Sequence, residues 1–123
     1  MEPNADPAPA WWVICLCAQW CGVCREWRDA FMQVAAAHPQ LRFAWVDVED
    51  EADAMGDIDI ETFPTVLIAR ERQPLFLGPV QPSGAQLTRL VASLRENPPQ
   101  APALPEGAAA LMLRLAADVL SKQ

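Results

Sequence analysis

The chain has 123 residues and carries 9 Lys and Arg against 16 Asp and Glu, a formal net charge of −7. That length fits one compact domain, and a composition 52% hydrophobic and 20% charged can bury a core, which excludes a wholly disordered chain. The acidic balance argues against a nucleic-acid partner, since neutralising phosphates takes a surplus of Lys and Arg.

In chain order, residues 1–10 (MEPNADPAPA) hold three Pro and three Ala with no apolar period, and are expected to form a disordered lead-in. Glu2 and Asp6 are acidic and no Lys or Arg precedes Arg25, unlike a secretory leader, so a cytoplasmic location is expected. Trp11 to Cys17 (WWVICLC) is a continuous apolar run of strand length, as in a strand buried on both faces. Even with Ala18 it is far short of the roughly 20 residues of a membrane span, and no membrane partner is expected. After a break at Gly22, the residues Trp27, Ala30, Phe31, Val34 and Ala35 recur at helical spacing and place one apolar stripe on a core. His38-Pro39 ends that helix, because the residue before a proline is pushed out of the helical region.

Leu41 to Val48 alternates around Phe43, Trp45 and Val46 and reads as a second strand, followed by a short helix over Asp50 to Met55. Thr65 to Ala69 (TVLIA) and Pro74 to Leu77 (PLFL) are the third and fourth strands, joined through the charged RERQ as a hairpin. Ser83 starts a helix to about Arg95, with Gln86 as its capping-box partner. Residues 97–105 hold four prolines and form a stiff linker. Residues 106–122 form a last helix whose Ala108, Leu111, Met112, Leu115, Val119 and Leu120 share one face. The strand–helix–strand crossover makes a parallel pair and the hairpin an antiparallel one, so the expected fold class is mixed α/β.

Charge is unevenly placed. Asp47, Glu49, Asp50, Glu51, Asp53, Asp57, Asp59 and Glu61 follow one another with no basic residue between them. They form either a solvated face with helix-start carboxylates or a patch that selects a basic partner.

The sharpest chemical signal is Trp20-Cys21-Gly22-Val23-Cys24, between the buried strand and the first helix. Two thiols three apart at a helix start can reach each other, and the first can sit where free N–H groups and the helix dipole favour a thiolate. The thiolate is the reactive form, so this placement supplies a nucleophile near neutral pH. Gly22 is expected to let the backbone turn tightly, and Trp20 to wall the sulfur with apolar surface. The same spacing occurs in zinc sites, but zinc wants a second pair or histidines downstream. The chain has one histidine, His38, and no cysteine after Cys24. His38 is expected at a helix end. Trp11, Trp12, Trp27 and Trp45 are expected to pack, and Arg25 and Arg28 to be solvated helix residues.

The stretch AQWCGVC closely resembles the active-site segment of the thioredoxin family. Phe63-Pro64-Thr65 resembles the family's second signature, a cis-proline loop, and Pro64 lies 43 residues after Cys21, about the spacing at which that loop faces the dithiol. The resemblance spans roughly residues 11–96. It implies a thioredoxin-like fold, a mixed four-stranded sheet flanked by helices and lacking the family's opening strand–helix unit. Residues 106–122 are then an extra C-terminal helix, expected to dock on the domain and partly replace the missing unit, whose strand would pair with residues 41–47. Carried over residue by residue, the resemblance implies Cys21 as attacking thiol and Cys24 as resolving thiol. Their redox-active disulfide would then be the only redox group, with no cofactor and no metal. Trp20, Gly22, Val23, Phe63, Pro64 and Gly78 would contact substrate. Pro64 would keep an amide donor out of the site and leave the Phe63 backbone to pair with an extended chain, and Gly78 would let substrate backbone approach.

Several positions depart from the family pattern. Its buried Asp is Cys15 here, a Trp on the same strand is Cys17, and a buried Lys on the next strand aligns near Trp45. The usual Pro between the cysteines is Val23, and a helix-kinking Pro is Asp29. Cys15 and Cys17 share one face of a strand and are expected to be small buried residues, too far apart for an easy disulfide. An accessory redox or metal role with Cys21 and Cys24 is the other possibility.

The implied function is a thiol–disulfide oxidoreductase that reduces disulfide-containing protein substrates through a mixed disulfide. It would act as a monomer recycled by a thioredoxin reductase-type electron donor. The alternative is a redox-weak binding or chaperone-like module on the same fold, toward which the absent Asp, the absent opening unit and the added helix lean.

Overall fold

A computed structural model describes residues 9–58 and 60–122. The apolar run is the first strand, β1 (Trp11–Cys17), buried throughout except at Trp12. It is followed by α1 (Gly22–Ala37), β2 (Arg42–Asp47), α2 (Ala52–Met55), β3 (Thr65–Arg70), β4 (Gln73–Pro79), α3 (Gly84–Glu96) and α4 (Ala108–Asp118). The strands form one mixed sheet in the order β2-β1-β3-β4. β1 runs parallel to β2, with Cys15 opposite Trp45, and antiparallel to β3, with Cys15 opposite Val66. Among the described residues no helix is long and apolar enough to cross a membrane.

Alternation along β1 divides the interior in two. Trp11, Val13, Cys15 and Cys17 point to one face, where Cys24, Trp27 and Phe31 of α1 and Leu87 and Val91 of α3 cover them. Ile14 and Leu16 point to the other, against Ala54 and Met55 of α2 and Leu111, Met112 and Leu115 of α4. A strand sandwiched this way has no solvated face, which is why its sequence is apolar at every position rather than at every second one.

The helix ends follow local chemistry. α1 stops at His38, whose Nδ1 donates to the Val34 carbonyl at 2.9 Å. At the start of α3, Ser83 Oγ accepts from Gln86 N–H at 3.3 Å. The other half of the expected capping box is absent, because Ser83 N–H donates to the Gln81 carbonyl at 2.7 Å. Ser83→Ala is expected to lower the unfolding free energy by about 1 kcal/mol, measured by urea denaturation. In β4, Leu75 is an extra residue between the pairs Ile68–Phe76 and Ala69–Pro74, a bulge on an outer strand where Pro74 is tolerated.

Several expected boundaries move: α2 starts at Ala52 rather than Asp50, and β4 runs Gln73–Pro79 rather than Pro74–Leu77. The second strand is shorter than Leu41–Val48 because Asp47 turns the chain, as shown below. Within the expected lead-in, residues 1–8 lie outside the described residues, whereas Ala10 is already tied to the β3–β4 turn. Its carbonyl accepts from Glu71 N–H at 2.7 Å and its N–H donates to Glu71 Oε1 at 3.2 Å. The expected helix over 106–122 is split at Val119, with a 3-10 turn at Leu120–Lys122.

Ala108, Leu111, Met112, Leu115, Val119 and Leu120 are all buried, so the face of the last helix is the one its spacing specifies. That helix lies across the sheet face rather than along the edge, and β2 keeps its place at the outside of the sheet. Arg114 adds a polar clamp: Nε donates to the Ala54 carbonyl at 2.7 Å and Nη2 to the Met55 carbonyl at 3.0 Å. It thereby satisfies the last carbonyls of α2, which the four-residue helix cannot. Gly56 makes this possible, since a β-carbon there would stand 2.6 Å from Arg114 Nη2 and its φ is +62°.

Candidate functional site

β1 delivers the chain to a tight turn in which Cys21 N–H donates to the Ala18 carbonyl at 3.0 Å. Two side chains fix this turn from outside. Asp47 Oδ2 accepts from Gln19 N–H at 2.9 Å, and Arg25 Nη1 donates to the Gln19 carbonyl at 2.9 Å. Asp47 Oδ1 also accepts from Glu49 N–H at 2.8 Å and Asp50 N–H at 3.0 Å, so one carboxylate ends β2 and anchors the site loop. The signal for it was an Asp closing an apolar strand ahead of polar residues, the usual sign of an Asx turn. Of the remaining acids in that run, Asp59 lies outside the described residues.

Cys21 is the N-cap of α1, half-buried and free, with no acidic residue in the first helical turn to oppose a thiolate. Trp20 and Val23 flank it in the open, 61% and 44% exposed. Gly22 already belongs to the helix, and a β-carbon there would meet only Arg25 Nη2 at 3.8 Å, so this turn does not need glycine as expected.

Cys24 points inward from the first turn of α1 and is bonded to Cys17, with the two Cα atoms 5.9 Å apart. The expected disulfide was Cys21–Cys24. The difference has a simple origin: Cys17 ends β1 on the face that α1 covers, directly under the inward side of that turn. Cys15, two residues earlier on the same face, has its Sγ 3.7 Å from that of Cys17 without a bond. Because Cys17 is in a disulfide, Cys15 is the donor of this S–H contact. Burial pushes the Cys15 thiol up from 9.0 to about 12, partly offset by the Trp27 indole beside it. Trp27 Nε1 is itself buried and completes no hydrogen bond of ordinary geometry.

The second signature comes up against this loop. The Phe63–Pro64 peptide is cis, and the Phe63 ring meets Trp20 edge-on with centroids 5.7 Å apart. Pro64 is buried; its carbonyl accepts from Val80 N–H at 3.0 Å, while Thr65 Oγ1 donates to the Thr62 carbonyl at 2.6 Å and closes the turn. Trp20, Cys21, Cys24 and Phe63 are thus brought together. Gly78 sits on β4 opposite Val66, and the space a β-carbon would take there is met by the Phe76 ring at 3.3 Å. Beside the disulfide, a cleft of about 350 Å³ opens between α1 and the end of β2, lined by Cys24, Arg25, Arg28, Trp45, Asp47 and Asp50, among others. Arg28 lies 5.3 Å from the Trp45 ring centroid, where the family pattern has a buried lysine. Among the described residues no group of three or more His, Cys, Asp or Glu side chains is placed to hold a metal ion.

A dithiol motif at a helix start, facing a cis-proline turn across a mixed sheet, is the arrangement the sequence resemblance implies. The thioredoxin family model matches residues 7–96 of this chain. The chain belongs to the thioredoxin family. Among curated relatives, putative thioredoxin 2 of Streptomyces coelicolor is 32% identical over 79 residues, covering 64% of this chain and 59% of that protein. Thioredoxin H9 of Arabidopsis thaliana is 29% identical over 90 residues, covering 72% of this chain and 62% of that protein. The match thus spans about three fifths of the length of these relatives. Of solved structures, thioredoxin of Fasciola hepatica aligns with TM-score 0.63 at 22% identity, over 70% of this chain and 82% of that one. Oxidised mitochondrial thioredoxin 3 of Saccharomyces cerevisiae aligns with TM-score 0.59 at 23% identity, over 68% and 78%. These structural likenesses establish the thioredoxin fold.

Proposed function

We propose that this chain is a thiol–disulfide oxidoreductase that reduces protein disulfides, with Cys21 as the attacking thiol. The observation that carries this is a free, half-buried cysteine at the N-cap of a 16-residue helix, with a second cysteine one turn on whose sulfur is already in a disulfide. The Cys21 thiolate attacks one sulfur of a substrate disulfide, forming a mixed disulfide and releasing the other sulfur, which takes up a proton. In the reduced protein Cys24 then attacks the Cys21 sulfur, and the second substrate thiol leaves. Trp20, Val23 and Phe63 offer apolar surface around the nucleophile, and the backbone at Phe63-Pro64 is the edge on which an extended substrate would pair. In a reducing compartment such as the cytoplasm the dithiol form would prevail, and electrons would flow to substrate from a thioredoxin reductase-type donor.

The test is reduction of insulin disulfides by dithiothreitol, followed by turbidity. Wild type is expected to accelerate precipitation, and Cys21→Ser to fall to the dithiothreitol-only background. Cys24→Ser is expected to accumulate a mixed disulfide on Cys21. Bonding of Cys24 to Cys17 removes the resolving thiol, and that observation favours a second function, a binding or chaperone-like module. It would be supported if wild type and Cys21→Ser both stayed at background while still binding unfolded chains.

A further inference from the structure

Three cysteines meet where β1 ends and α1 begins, in unequal surroundings. Cys17 and Cys24 are each 1% exposed and joined to one another, whereas Cys21 keeps its thiol at the helix N-cap, half open to water. We propose that Cys17 is a third redox-active cysteine of this site, which takes Cys24 over from Cys21 in the oxidised protein, so that the disulfide moves inward and Cys21 is returned as a free thiol. This rests on the oxidoreductase function proposed above and adds a step to it.

The step is an intramolecular exchange. Cys17 Sγ, having given up its proton, attacks Cys24 Sγ of a Cys21–Cys24 disulfide. The Cys17–Cys24 bond forms, the Cys21–Cys24 bond breaks, and Cys21 leaves as a thiolate that takes up the proton. One disulfide and one thiol stand on each side, so no oxidant or reductant is consumed.

Position sets the direction. The leaving sulfur is that of Cys21 at the N-cap of α1, half open to water, where a substrate disulfide can reach it. Cys17 is enclosed between Cys15 and the first turn of α1, so a bond between Cys17 and Cys24 is shut away from water and from external thiols. Placing Cys17 in the disulfide encloses both bonded sulfurs and leaves the accessible thiol at Cys21. The pocket nevertheless holds the donors a transient Cys17 thiolate would need. Cys15 donates its S–H to Cys17 across 3.7 Å, and the unpartnered Trp27 N–H stands behind Cys15. The consequence is an oxidised protein that keeps a nucleophile: Cys21 can open a second disulfide that Cys24 is not free to resolve.

The sequence makes this readable. Chymotryptic cleavage after Leu16, Trp20 and Trp27 puts Cys17 on residues 17–20 and both Cys21 and Cys24 on residues 21–27. Reduced protein is oxidised with one equivalent of diamide, quenched in acid, alkylated with N-ethylmaleimide and mapped by mass spectrometry. The expected result is that most oxidised wild type shows the two fragments linked, with Cys21 alkylated, and that Cys21→Ser still loses two thiols to the same link. Oxidised Cys17→Ser is expected to show only a closed 21–27 fragment with no alkylated Cys21. A wild-type map with the closed 21–27 fragment alone and Cys17 alkylated overturns the proposal, even if Cys17→Ser fails to fold. That outcome leaves the proposed function standing, since that function falls if wild type fails to reduce insulin or if Cys21→Ser retains the activity.

Discussion

Leu115→Ala is expected to lower the unfolding free energy by about 3 kcal/mol and the melting temperature by roughly 10 °C. Leu115 is fully buried among Leu111, Met112 and the sheet residues Ile14, Leu16 and Leu67, and truncating it leaves a cavity that a β-sheet surface has little freedom to close. Leu113, two positions earlier on the same helix, is 55% exposed, and Leu113→Ala is expected to change stability by less than about 0.5 kcal/mol. Differential scanning calorimetry of the pair separates a docked helix from a loosely attached one, because only docking makes the two leucines unequal. Deleting residues 98–123 removes α4's share of the cover on that sheet face together with the Arg114 clamp on α2, and is expected to destabilise more than either substitution. Equal melting temperatures for wild type, Leu115→Ala and the deletion would show that α4 contributes nothing to the fold.

That contrast between two leucines was legible in the sequence, because an apolar face at spacings of three and four is visible without coordinates. So were the strand limits of β1, where an apolar run with no alternation means burial on both sides, and the Ser83 cap. What α4 packs against was not. An apolar face specifies that a helix must be covered and leaves open by what, and the uncovered edge of β2 looked the natural place. The sheet face carries Ile14, Leu16, Leu67 and Ala69, and α4 buries its own apolar face against them. Arg114 was equally silent, since its partners are backbone carbonyls 59 and 60 residues away.

At the proposed site, Cys21, Cys24 and Pro64 stand out in the sequence by motif and spacing. Cys17 does not: considered with Cys15 it looks like a small core residue, and only the placement of α1 over the end of β1 puts it under Cys24. Asp47 was hidden within a run of acids, where seven neighbours of the same sign made it look like one more solvated charge.

Raising the pH from 9 to 12 is expected to lower the stability of the protein by about 3 kcal/mol through Cys15 alone. The folded protein holds the Cys15 proton up to about 12, while an unfolded chain releases it near 9.0. Below pH 9 both states are protonated and the group contributes no pH dependence. Between the two values only the unfolded state ionises, so unfolding gains about 1.4 kcal/mol for each pH unit, and above 12 the loss levels off. Few other groups obscure this range, since the chain has no tyrosine and a single lysine, Lys122. Urea denaturation of oxidised protein at pH 8 and pH 10.5 should therefore differ by about 2 kcal/mol, and Cys15→Ala should remove most of that difference whatever its effect at pH 8. The same burial bears on turnover. A thiol that keeps its proton to about 12 takes none from Cys24 at neutral pH, so the position where the family pattern places a carboxylate does not serve here as a base. An alkaline slope left intact by Cys15→Ala would show that Cys15 ionises as freely in the folded protein as in water, and would restore it as a candidate proton acceptor.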